Sequence, residues 1–346
     1  MKTAMDDSQQ QEPGTLTFTL LRLLADGEFH SGEVLAQQLG ISRASVSNAL
    51  RGVENYGLKL YSVRGRGYCL NPSPQWLDAT RIADHMGEQG KNFQIEILDS
   101  AISSNTLLLQ RTRTDVATRG APSGSVLAVE WQSSGRGRLG RTWHSGLGNA
   151  LTFSLLWRFG CGLSALSGLS LAAGVALIRA LRVLGVESAQ LKWPNDVLGS
   201  KGKLAGILIE AQGDMLGPSA VVIGIGLNLS LQQQVLRQID QPVTSLAEMT
   251  PNVPERNQLL AVILFEMAGV LREFDTHGFV MLRKEWQSYH GFQDKPVQLL
   301  LPDGSRVMGI VRGVAEDGAL ELETMHEIKR FNVGEVSLRS VEHAAA

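Results

Sequence analysis

Residues 135–145 read Gly-Arg-Gly-Arg-Leu-Gly-Arg-Thr-Trp-His-Ser, and this segment is the most informative in the chain. Its glycines alternate with Arg136, Arg138 and Arg141, so a backbone that can turn tightly carries three guanidinium groups. Exposed backbone amides and arginine side chains together bind oxyanions such as phosphate and carboxylate. An ordinary basic surface loop has a similar composition. The segment therefore predicts an anion site, which needs support from elsewhere in the chain.

Two later segments give that support. Lys192-Trp193-Pro194-Asn195-Asp196 and Lys203-Leu204-Ala205-Gly206 follow in the same predicted domain. The three segments in this order resemble the biotin–protein ligases, and the resemblance extends over nearly the full chain. It implies an enzyme with a two-step reaction. The biotin carboxylate attacks the α-phosphate of ATP, giving biotinyl-5′-adenylate and pyrophosphate. A lysine of the biotin carboxyl carrier domain of acetyl-CoA carboxylase then attacks the mixed anhydride and releases AMP.

Composition sets the general class of the protein. With 346 residues, two or three domains are expected, and 43% hydrophobic and 19% charged residues are typical of a globular protein with a sizeable core. A net charge of −2 means that any nucleic-acid binding must come from a local basic patch. The cysteines, Cys69 and Cys161, cannot form a disulfide framework, so a reducing cytoplasmic setting is expected.

Neither the amino terminus nor any apolar run predicts export or a membrane span. Residues 1–14 are polar and lack an apolar signal core, so we expect a disordered tail. The longest uncharged stretch, Phe159 to Ile178, is interrupted by serines and glycines and is followed by Arg179 and Arg182. That length is marginal for a bilayer span, so a buried helix is favoured and no membrane contact is predicted.

Residues 15–70 are predicted to form a winged helix-turn-helix domain. Leucines at helical spacing predict a first helix, and Ser31 and Ser42 are suited to cap two further short helices on either side of Gly40. Two predicted strands then flank Arg64-Gly65-Arg66-Gly67, which forms a basic hairpin turn. This order of elements is typical of domains that place the third helix in the major groove of DNA.

The third helix and the hairpin supply a local excess of positive charge. Basic residues outnumber acidic ones between Ser42 and Arg66, which suits phosphate contacts, while Ser, Asn and Arg side chains can reach base edges. A protein-interaction role for the same fold is the alternative, and the basic turn argues against it. The predicted DNA-binding residues are Arg43, Ser45, Ser47, Asn48, Arg51, Arg64 and Arg66.

The rest of the chain divides into a linker and two further predicted domains. Two prolines mark 71–75 as a linker. Residues 76–290 mix β-rich runs with helical runs at 166–185 and 257–275, which predicts an α/β catalytic domain. Residues 291–346 contain short strands separated by Pro-Asp-Gly and Glu-Asp-Gly turns. The expected fold class is therefore α+β multidomain, with an N-terminal winged helix-turn-helix, a central biotin/lipoate-ligase-like domain with a mixed sheet, and a small C-terminal SH3-like β-barrel.

The resemblance also assigns a biotin site. Ser103-Ser104-Asn105 stands where the family usually has Ser-Thr-Asn, and Gln132 matches a further contact to the ureido ring. The Arg/Gly loop closes over the adenylate in the family and limits its hydrolysis. Leu139 departs from the family by replacing a frequent arginine, and Ile102 by replacing a frequent aspartate. The predicted biotin-binding residues are Ser103, Ser104, Asn105, Gln132, Arg136, Gly137, Arg138 and Lys203.

The adenylation chemistry needs positive charge, because it brings an anionic carboxylate toward an anionic phosphate. Arg138 and Lys203 supply that charge, and Asp196 can orient the incoming amine or accept its proton; these are the predicted catalytic residues. Segment 231–243 is a candidate cover over the adenylate. The predicted ATP-binding residues are Arg138, Arg141, Trp143, Asn195, Asn228 and Arg339.

Further expectations concern the metal and the partners. Mg²⁺ is expected with the triphosphate, since a hard cation neutralises phosphate oxygens, but no dedicated metal-ligand cluster is apparent in the sequence. The amino-terminal domain matches the bifunctional members of the family, which also repress biotin-synthesis genes. That match implies operator DNA as a partner and a homodimer linked to ligand binding.

Two alternatives remain open at this stage. A lipoate–protein ligase shares the catalytic fold and the adenylation chemistry, although the Arg/Gly loop and the DNA-binding domain favour biotin. A repressor that senses a small ligand without catalysis is the other alternative. The presence of Arg138, Lys203 and Asp196 argues against it.

Overall fold

Three short helices and a hairpin form the amino-terminal unit of the computed structural model, which describes residues 12–112, 120–301, 303–332 and, for the backbone alone, 337–340. Most of the predicted tail, residues 1–11, lies outside the described part. Ser31 and Ser42 cap the second and third helices, as predicted. Their side chains accept hydrogen bonds from the backbone amides of Val34 and Ser45. The elements are α1 (Thr15–Leu23), α2 (Gly32–Leu39), α3 (Arg43–Ala49), β1 (Leu60–Val63) and β2 (Gly67–Leu70).

A seven-stranded mixed sheet forms the centre of the molecule, in the order β3-β4-β7-β11-β10-β9-β8. The β3–β4 pair is parallel and the other pairs are antiparallel, which agrees with the predicted mixed sheet. All of β11 is buried, because helices cover both faces of the sheet there. The strands are β3 (Gln94–Ala101), β4 (Ser125–Gln132), β7 (Ala150–Phe159), β8 (Gln190–Lys192), β9 (Asp196–Leu198), β10 (Lys203–Gly213) and β11 (Ser219–Asn228).

Helices pack on both faces of this sheet. On one face, α6 (Leu169–Val183) packs against α9 (Arg256–His277), and α4 (Ala79–Met86) lies beside α9. On the other face, α5 (Ser104–Gln110) lies across β7 and β11. The predicted apolar run therefore divides between the end of β7 and α6. Within the described ranges, no helix is both long and apolar enough to cross a membrane. The shorter helices are α7 (Gln233–Leu236), α8 (Leu246–Met249) and α10 (Arg283–Tyr289).

Five antiparallel strands form the carboxy-terminal unit, in the order β15-β14-β13-β12-β16. This unit packs on the central domain, because Val297, Leu299 and Val311 belong to the same apolar core as α6 and α9. The end of the predicted third domain, residues 341–346, lies outside the described part. The strands are β12 (Pro296–Leu300), β13 (Arg306–Val314), β14 (Leu320–Glu323), β15 (Ile328–Phe331) and β16 (Ser337–Ser340).

The amino-terminal unit also contacts the central domain directly. Trp131 and Leu147 are buried in the amino-terminal core, and the indole of Trp131 meets Tyr56 edge-on with 5.6 Å between ring centroids. Asn149 donates its side-chain amide to the Gly57 carbonyl at 2.9 Å and accepts the Ser230 hydroxyl at 2.5 Å. The two units therefore share core residues as well as hydrogen bonds.

The linker predicted at 71–75 is anchored by a buried arginine. Arg256 is 1% exposed, forms an ion pair with Glu130 at 2.7 Å, and donates to the Gln75 carbonyl at 2.6 Å. A charge this deeply buried needs an opposite charge and acceptors to be tolerated, and Glu130 and Gln75 provide them. In the middle of the linker, Ser73 donates its hydroxyl to the Ala25 carbonyl at 2.7 Å.

Candidate active site

A cavity of about 470 Å³, counting its open mouth, lies on the face of the sheet that α5 covers. It is enclosed by the start of α5, the end of β4, the Arg/Gly loop and the middle of β10 and β11. Most of the residues predicted to bind biotin or ATP meet here, although they come from segments far apart in sequence. The predicted residues that line it are Ser103, Ser104, Asn105, Gln132, Arg136, Gly137, Arg138, Trp143, Asn195 and Lys203.

The Arg/Gly loop folds back on itself over this cavity. Its ends pair as β5 (Gly135–Arg136) and β6 (Thr142–Trp143), and the Gly137 amide donates to the Arg141 carbonyl at 2.7 Å. Leu139 at the tip has φ of 55°, a left-handed conformation that costs a non-glycine residue about 1–3 kcal/mol, and its side chain is 73% exposed. The departure at Leu139 thus places an exposed apolar side chain at the rim.

Arg138 is the least exposed of the three arginines of the loop, and it lines the cavity. It donates to Asn195 Oδ1 at 3.0 Å, and Asn195 in turn donates to the Ile207 carbonyl at 2.8 Å. Burial lowers the pKa of Arg138; the nearby charge of Asp196 opposes this effect and that of Arg141 adds to it. A guanidinium in this setting gains stability from a bound anion, as the sequence pattern predicts.

Two side chains lie so close to the Gly224-Ile225-Gly226 segment of β11 that only glycine fits beneath them, at Gly224 and at Gly226. A Cβ at Gly226 would overlap the Trp143 indole, and a Cβ at Gly224 would overlap the Asn105 amide. Both substitutions would push a cavity-lining side chain away from the sheet. The segment, which carried little information as a sequence motif, is therefore the floor on which Asn105 and Trp143 lie.

Lys203 and Asp196 pair at one side of the cavity. The Lys203 ammonium lies 2.6 Å from Asp196 Oδ1, and it also lies over the Trp143 ring at 5.9 Å from the centroid. Within the described ranges, that carboxylate oxygen accepts no hydrogen bond of good geometry, so the contact is an ion pair by distance. The two predicted catalytic charges neutralise each other in this structure.

Three residues predicted for ATP binding lie apart from the lining of the cavity. Asn228 is 4% exposed and donates to the backbone carbonyls of Lys203 and Thr244, so it holds these segments together. Arg141 is exposed and does not line the cavity. Arg339 lies on β16 opposite Gln298, and its side chain is outside the described part. Nucleotide contacts by these residues stay predictions.

A partly buried chain of polar contacts beside the cavity was not anticipated from the sequence. Glu210 binds Arg136 at 2.9 Å and Asn105 at 3.1 Å, and Ser154 bridges Asn105 and Ser104 at 2.5 and 2.7 Å. The alternation of β10 supplies a signal that was missed, because Glu210 shares its face with Gly206 and Leu208. Asp99, three residues before Ile102, pairs with Arg22 of the amino-terminal unit.

The predicted DNA-binding side chains lie on one unit and are mostly exposed. Arg43, Ser47, Asn48, Arg51, Arg64 and Arg66 are exposed, and Ser45 is half-buried because it bonds to Ser42. Arg51 donates to Asn48 Oδ1 at 2.9 Å, which holds that amide in place. Arg66 stacks over Phe29 with 4.0 Å to the ring centroid. Helix α3 and the β1–β2 hairpin therefore present arginine cations and the Asn48 amide on the surface of one unit.

Comparison with known proteins connects these two sites. Residues 102–228 match the biotin/lipoate A/B protein ligase family, residues 17–69 an HTH domain, and residues 294–339 the biotin protein ligase C-terminal domain. These matches confirm the fold class expected from the sequence. A solved biotin protein ligase from Aquifex aeolicus, in complex with biotin and ATP, is 28% identical with a TM-score of 0.60 and covers 71% of this chain and 99% of its own.

Curated relatives match over nearly the whole chain. The bifunctional ligase/repressor BirA of Salmonella typhimurium is 37% identical, over 95% of this chain and 99% of its own. The Escherichia coli protein of the same name is 36% identical, over 95% and 98%. Because one full-length alignment spans the helix-turn-helix, the cavity and the carboxy-terminal strands, the chain belongs to the bifunctional ligase/repressors of the biotin/lipoate protein ligase family.

Proposed function

We propose that this chain is a biotin–protein ligase that forms biotinyl-5′-adenylate from biotin and ATP, passes biotin to a lysine of a carrier domain, and represses biotin-synthesis genes. One observation carries the proposal: a single cavity gathers the predicted ureido contacts, the Arg/Gly loop, Asn195 and Lys203. Biotinyl-5′-adenylate has a polar ureido head, an apolar tail, an anhydride phosphate and an adenosine. The cavity offers amide and hydroxyl groups at one end and cations at the other.

In the first step, an oxygen of the biotin carboxylate forms a bond to the α-phosphorus, and the bond from that phosphorus to pyrophosphate breaks. Arg138 and Lys203 stabilise the charge that gathers on the phosphate oxygens. Arg138 is already oriented by Asn195 at 3.0 Å, so little side-chain order has to be gained during the reaction. Closure of the Arg/Gly loop excludes water from the anhydride.

In the second step, the amine nitrogen of a carrier lysine bonds to the biotinyl carbonyl carbon, and the carbon–oxygen bond to AMP breaks. Once Lys203 turns from Asp196 to the substrate oxygens, the Asp196 carboxylate loses its counter-ion. It then accepts the proton that the attacking amine releases. Lys203 therefore acts in the first step, and its partner Asp196 acts in the second.

Substrate recognition divides between the two ends of the cavity. Ser104, Asn105 and Gln132 face the ureido ring of biotin, and Trp143 forms an apolar wall for adenine. Arg141, Asn228 and Arg339 are further candidates for nucleotide contact. Segment 231–243 is the candidate cover, and it begins next to Ser230, whose hydroxyl donates to Asn149 Oδ1 at 2.5 Å.

Magnesium is proposed to enter with ATP. Mg²⁺ usually keeps several waters and takes one or two protein oxygens besides the phosphates, so a dedicated cluster is not required. Among the described residues no cluster of three His, Cys, Asp or Glu side chains is present, while Asp196 and Asn195 offer oxygens beside the cavity. These two residues would hold the ion, which when bound neutralises phosphate charge.

For the regulatory function, α3 and the β1–β2 hairpin are the elements proposed to contact operator DNA. A palindromic operator read by a homodimer is expected for this class of domain, with dimerisation linked to ligand binding. The carrier domain of acetyl-CoA carboxylase is the proposed protein substrate, and the cytoplasm is the proposed location, in keeping with two free cysteines. These assignments are supported by the helix-turn-helix match at 17–69 and by the names of the relatives.

A direct test incubates the protein with a purified carrier domain, biotin and ATP. Mass spectrometry of the carrier domain then measures biotinylation. Lipoate in place of biotin tests the alternative ligase, and a carrier domain whose acceptor lysine is replaced by arginine is the control. We expect one biotin per carrier domain, and only when biotin, ATP and the acceptor lysine are all present. Lipoate transfer, or no transfer by a protein that binds biotin and DNA, would contradict it.

A further inference from the structure

We propose that residues 75–78 and their anchors form a rigid joint between the two units, so that a homodimer accepts operators of only one spacing between half-sites; this inference rests on the proposed function. Each of the four residues bonds through its backbone to the start of α9 or to β4. The bonds run from Arg256 to the Gln75 carbonyl at 2.6 Å, from Asn257 to the Trp76 carbonyl at 3.1 Å, from the Leu77 amide to Glu130 at 2.7 Å, and from the Asp78 amide to Asn257 at 2.7 Å.

The groups that hold this segment in the central domain are buried. Glu130 and Arg256 are each 1% exposed, and Asn257 is fully buried. Asn257 uses both ends of its amide, because Nδ2 donates to Trp76 and Oδ1 accepts from Asp78. Opening either bond would leave a buried polar group without its partner, which is unfavourable. The central domain therefore determines the path of the chain across this segment.

The amino-terminal unit contacts the same segment through Trp76. The Trp76 ring meets Phe18 of α1 edge-on with 6.4 Å between centroids, and the Arg22 guanidinium lies over it at 4.6 Å from the centroid. Arg22 also pairs with Asp99 of β3. Trp76 is therefore held by both units at once, by its carbonyl on one side and by its ring on the other.

These contacts add direction to the apolar interface between the units. Trp131 and Leu147 lie in the amino-terminal core, but apolar contact is non-directional and permits one surface to roll on the other. Hydrogen bonds restrict both distance and angle. With the joint in place, helix α3 has one orientation relative to the central sheet.

A fixed orientation of α3 has a consequence for operator DNA. In a homodimer with one interface, the two copies of α3 lie at one separation and one angle. One base pair inserted at the centre of a palindromic operator moves one half-site by about 3.4 Å along the DNA axis and by about 35° around it. A flexible tether would follow this displacement. A rigid joint cannot, so one half-site loses its contacts.

The test measures operator affinity as a function of half-site spacing. The full chain, with biotin and ATP present, first selects its operator from random-sequence DNA. Duplexes with one or two base pairs added or removed at the operator centre are then titrated by fluorescence anisotropy. We expect each change to weaken binding by about 100-fold or more, because the contacts of one half-site are lost. Changes below about threefold across the series are the behaviour of a flexible tether and would overturn the inference.

Variants test whether the joint is the source of this discrimination. Arg22→Gln removes the charge that lies over Trp76, and Asn257→Leu keeps the size of the side chain but forms neither bond. In the double variant, the ratio of affinities for the original and the shifted operator should fall about tenfold or more, while carrier biotinylation stays within about twofold of wild type. Neither residue lines the cavity. Arg272→Gln, at an exposed position of α9, is the matched control.

Thermal melting establishes that each variant is folded. Arg22→Gln alone, at a partly exposed position, replaces the double variant if that protein does not fold, and a fall of about threefold in the ratio is then expected. A folded variant that keeps the wild-type ratio would overturn the assignment of the joint. Selected DNA without two inverted half-sites, or no DNA binding by the wild type, would instead overturn the proposed regulatory function.

Discussion

The Nζ of Lys203 lies 2.6 Å from Asp196 Oδ1, and both side chains are only 17% exposed. Each proposed reacting group is therefore the counter-ion of the other. A partly buried pair of this kind is strongly affected by loss of one partner, because the other keeps an uncompensated charge. In the proposed mechanism, an anionic substrate gives Lys203 a new partner and frees Asp196, so one exchange of partners prepares both steps.

Removal of the Lys203 charge should affect adenylate formation first. Lys203→Ala, and equally Arg138→Ala, is expected to slow single-turnover adenylation by about 100- to 1,000-fold, since loss of one such donor costs ~2.7–4 kcal/mol in the transition state. Rapid-quench measurement of biotinyl-5′-adenylate gives the rate. Lys201→Ala is the matched control, because Lys201 is exposed and pairs with Glu248 outside the cavity. Equal rates for folded Lys203→Ala and the control would remove Lys203 from the mechanism.

The amino-terminal unit should be dispensable for ligation but not for stability. Every residue that lines the cavity lies downstream of the linker, so a protein starting at Gln75 is expected to biotinylate the carrier domain. Truncation uncovers Trp131 and Leu147, which are 3% and 0% exposed in the full chain, at a cost on the order of a few kcal/mol. Ligation rates and thermal melts check both parts. A folded truncation without ligation would show that the units are coupled in catalysis.

A buried histidine predicts an acid-sensitive fold. Burial, and secondarily the charge of Lys295, lowers the pKa of His290 from 6.5 to about 3, and the ring lies tilted against Trp286 with 4.5 Å between centroids. Between these two values the unfolded chain binds a proton that the folded chain does not, so stability falls as pH drops from 6.5 toward 3. The loss is about 2 kcal/mol at pH 5.

Urea titrations across this pH range measure the effect. His290→Phe keeps an aromatic ring and cannot titrate, so its stability should fall less between pH 7 and pH 5 than that of the wild type. His277→Gln is the control, because His277 is exposed at the end of α9. Parallel curves for wild type and His290→Phe would exclude His290 as the source.

DNA binding should separate into general and sequence-specific parts. Arg64→Ala and Arg66→Ala are expected to weaken binding to every sequence and to reduce the salt slope by about 0.9 for each lost phosphate contact. Ser47→Ala and Asn48→Ala should instead reduce discrimination between operator and random DNA. The measurement is binding to both DNAs over a salt series, with biotin and ATP present. Arg272→Ala on α9 is the control, and unchanged affinity and slope in the hairpin variants would exclude that contact.

The fold was predictable where local patterns determine structure. Ser31 and Ser42 cap helices, and the apolar runs became buried strands, because capping and hydrophobic periodicity act over a few residues. The site residues 103–105, 132 and 135–143 converge as expected from the resemblance. Their contacts with substrates stay predictions.

What the sequence did not reveal depends on packing between distant segments. Glu210 and Ser154 carry no motif, and their contacts with Asn105 arise only because β7 and β10 approach α5. The burial of Asn228, and the sharing of Trp131 between two units, likewise arise from tertiary contacts. Strand alternation would have placed Glu210 on the correct face, but not beside Arg136.

The central claim is that this cavity activates biotin with ATP, and exchange of labelled pyrophosphate into ATP measures that step without a carrier domain. The full-length protein is incubated with ATP, magnesium and labelled pyrophosphate, with biotin, with lipoate, or with neither. Exchange that appears only with biotin, and falls about 100-fold or more in Lys203→Ala, is the predicted result. Absence of exchange with biotin, or exchange with lipoate alone, in a protein that is folded would contradict the account.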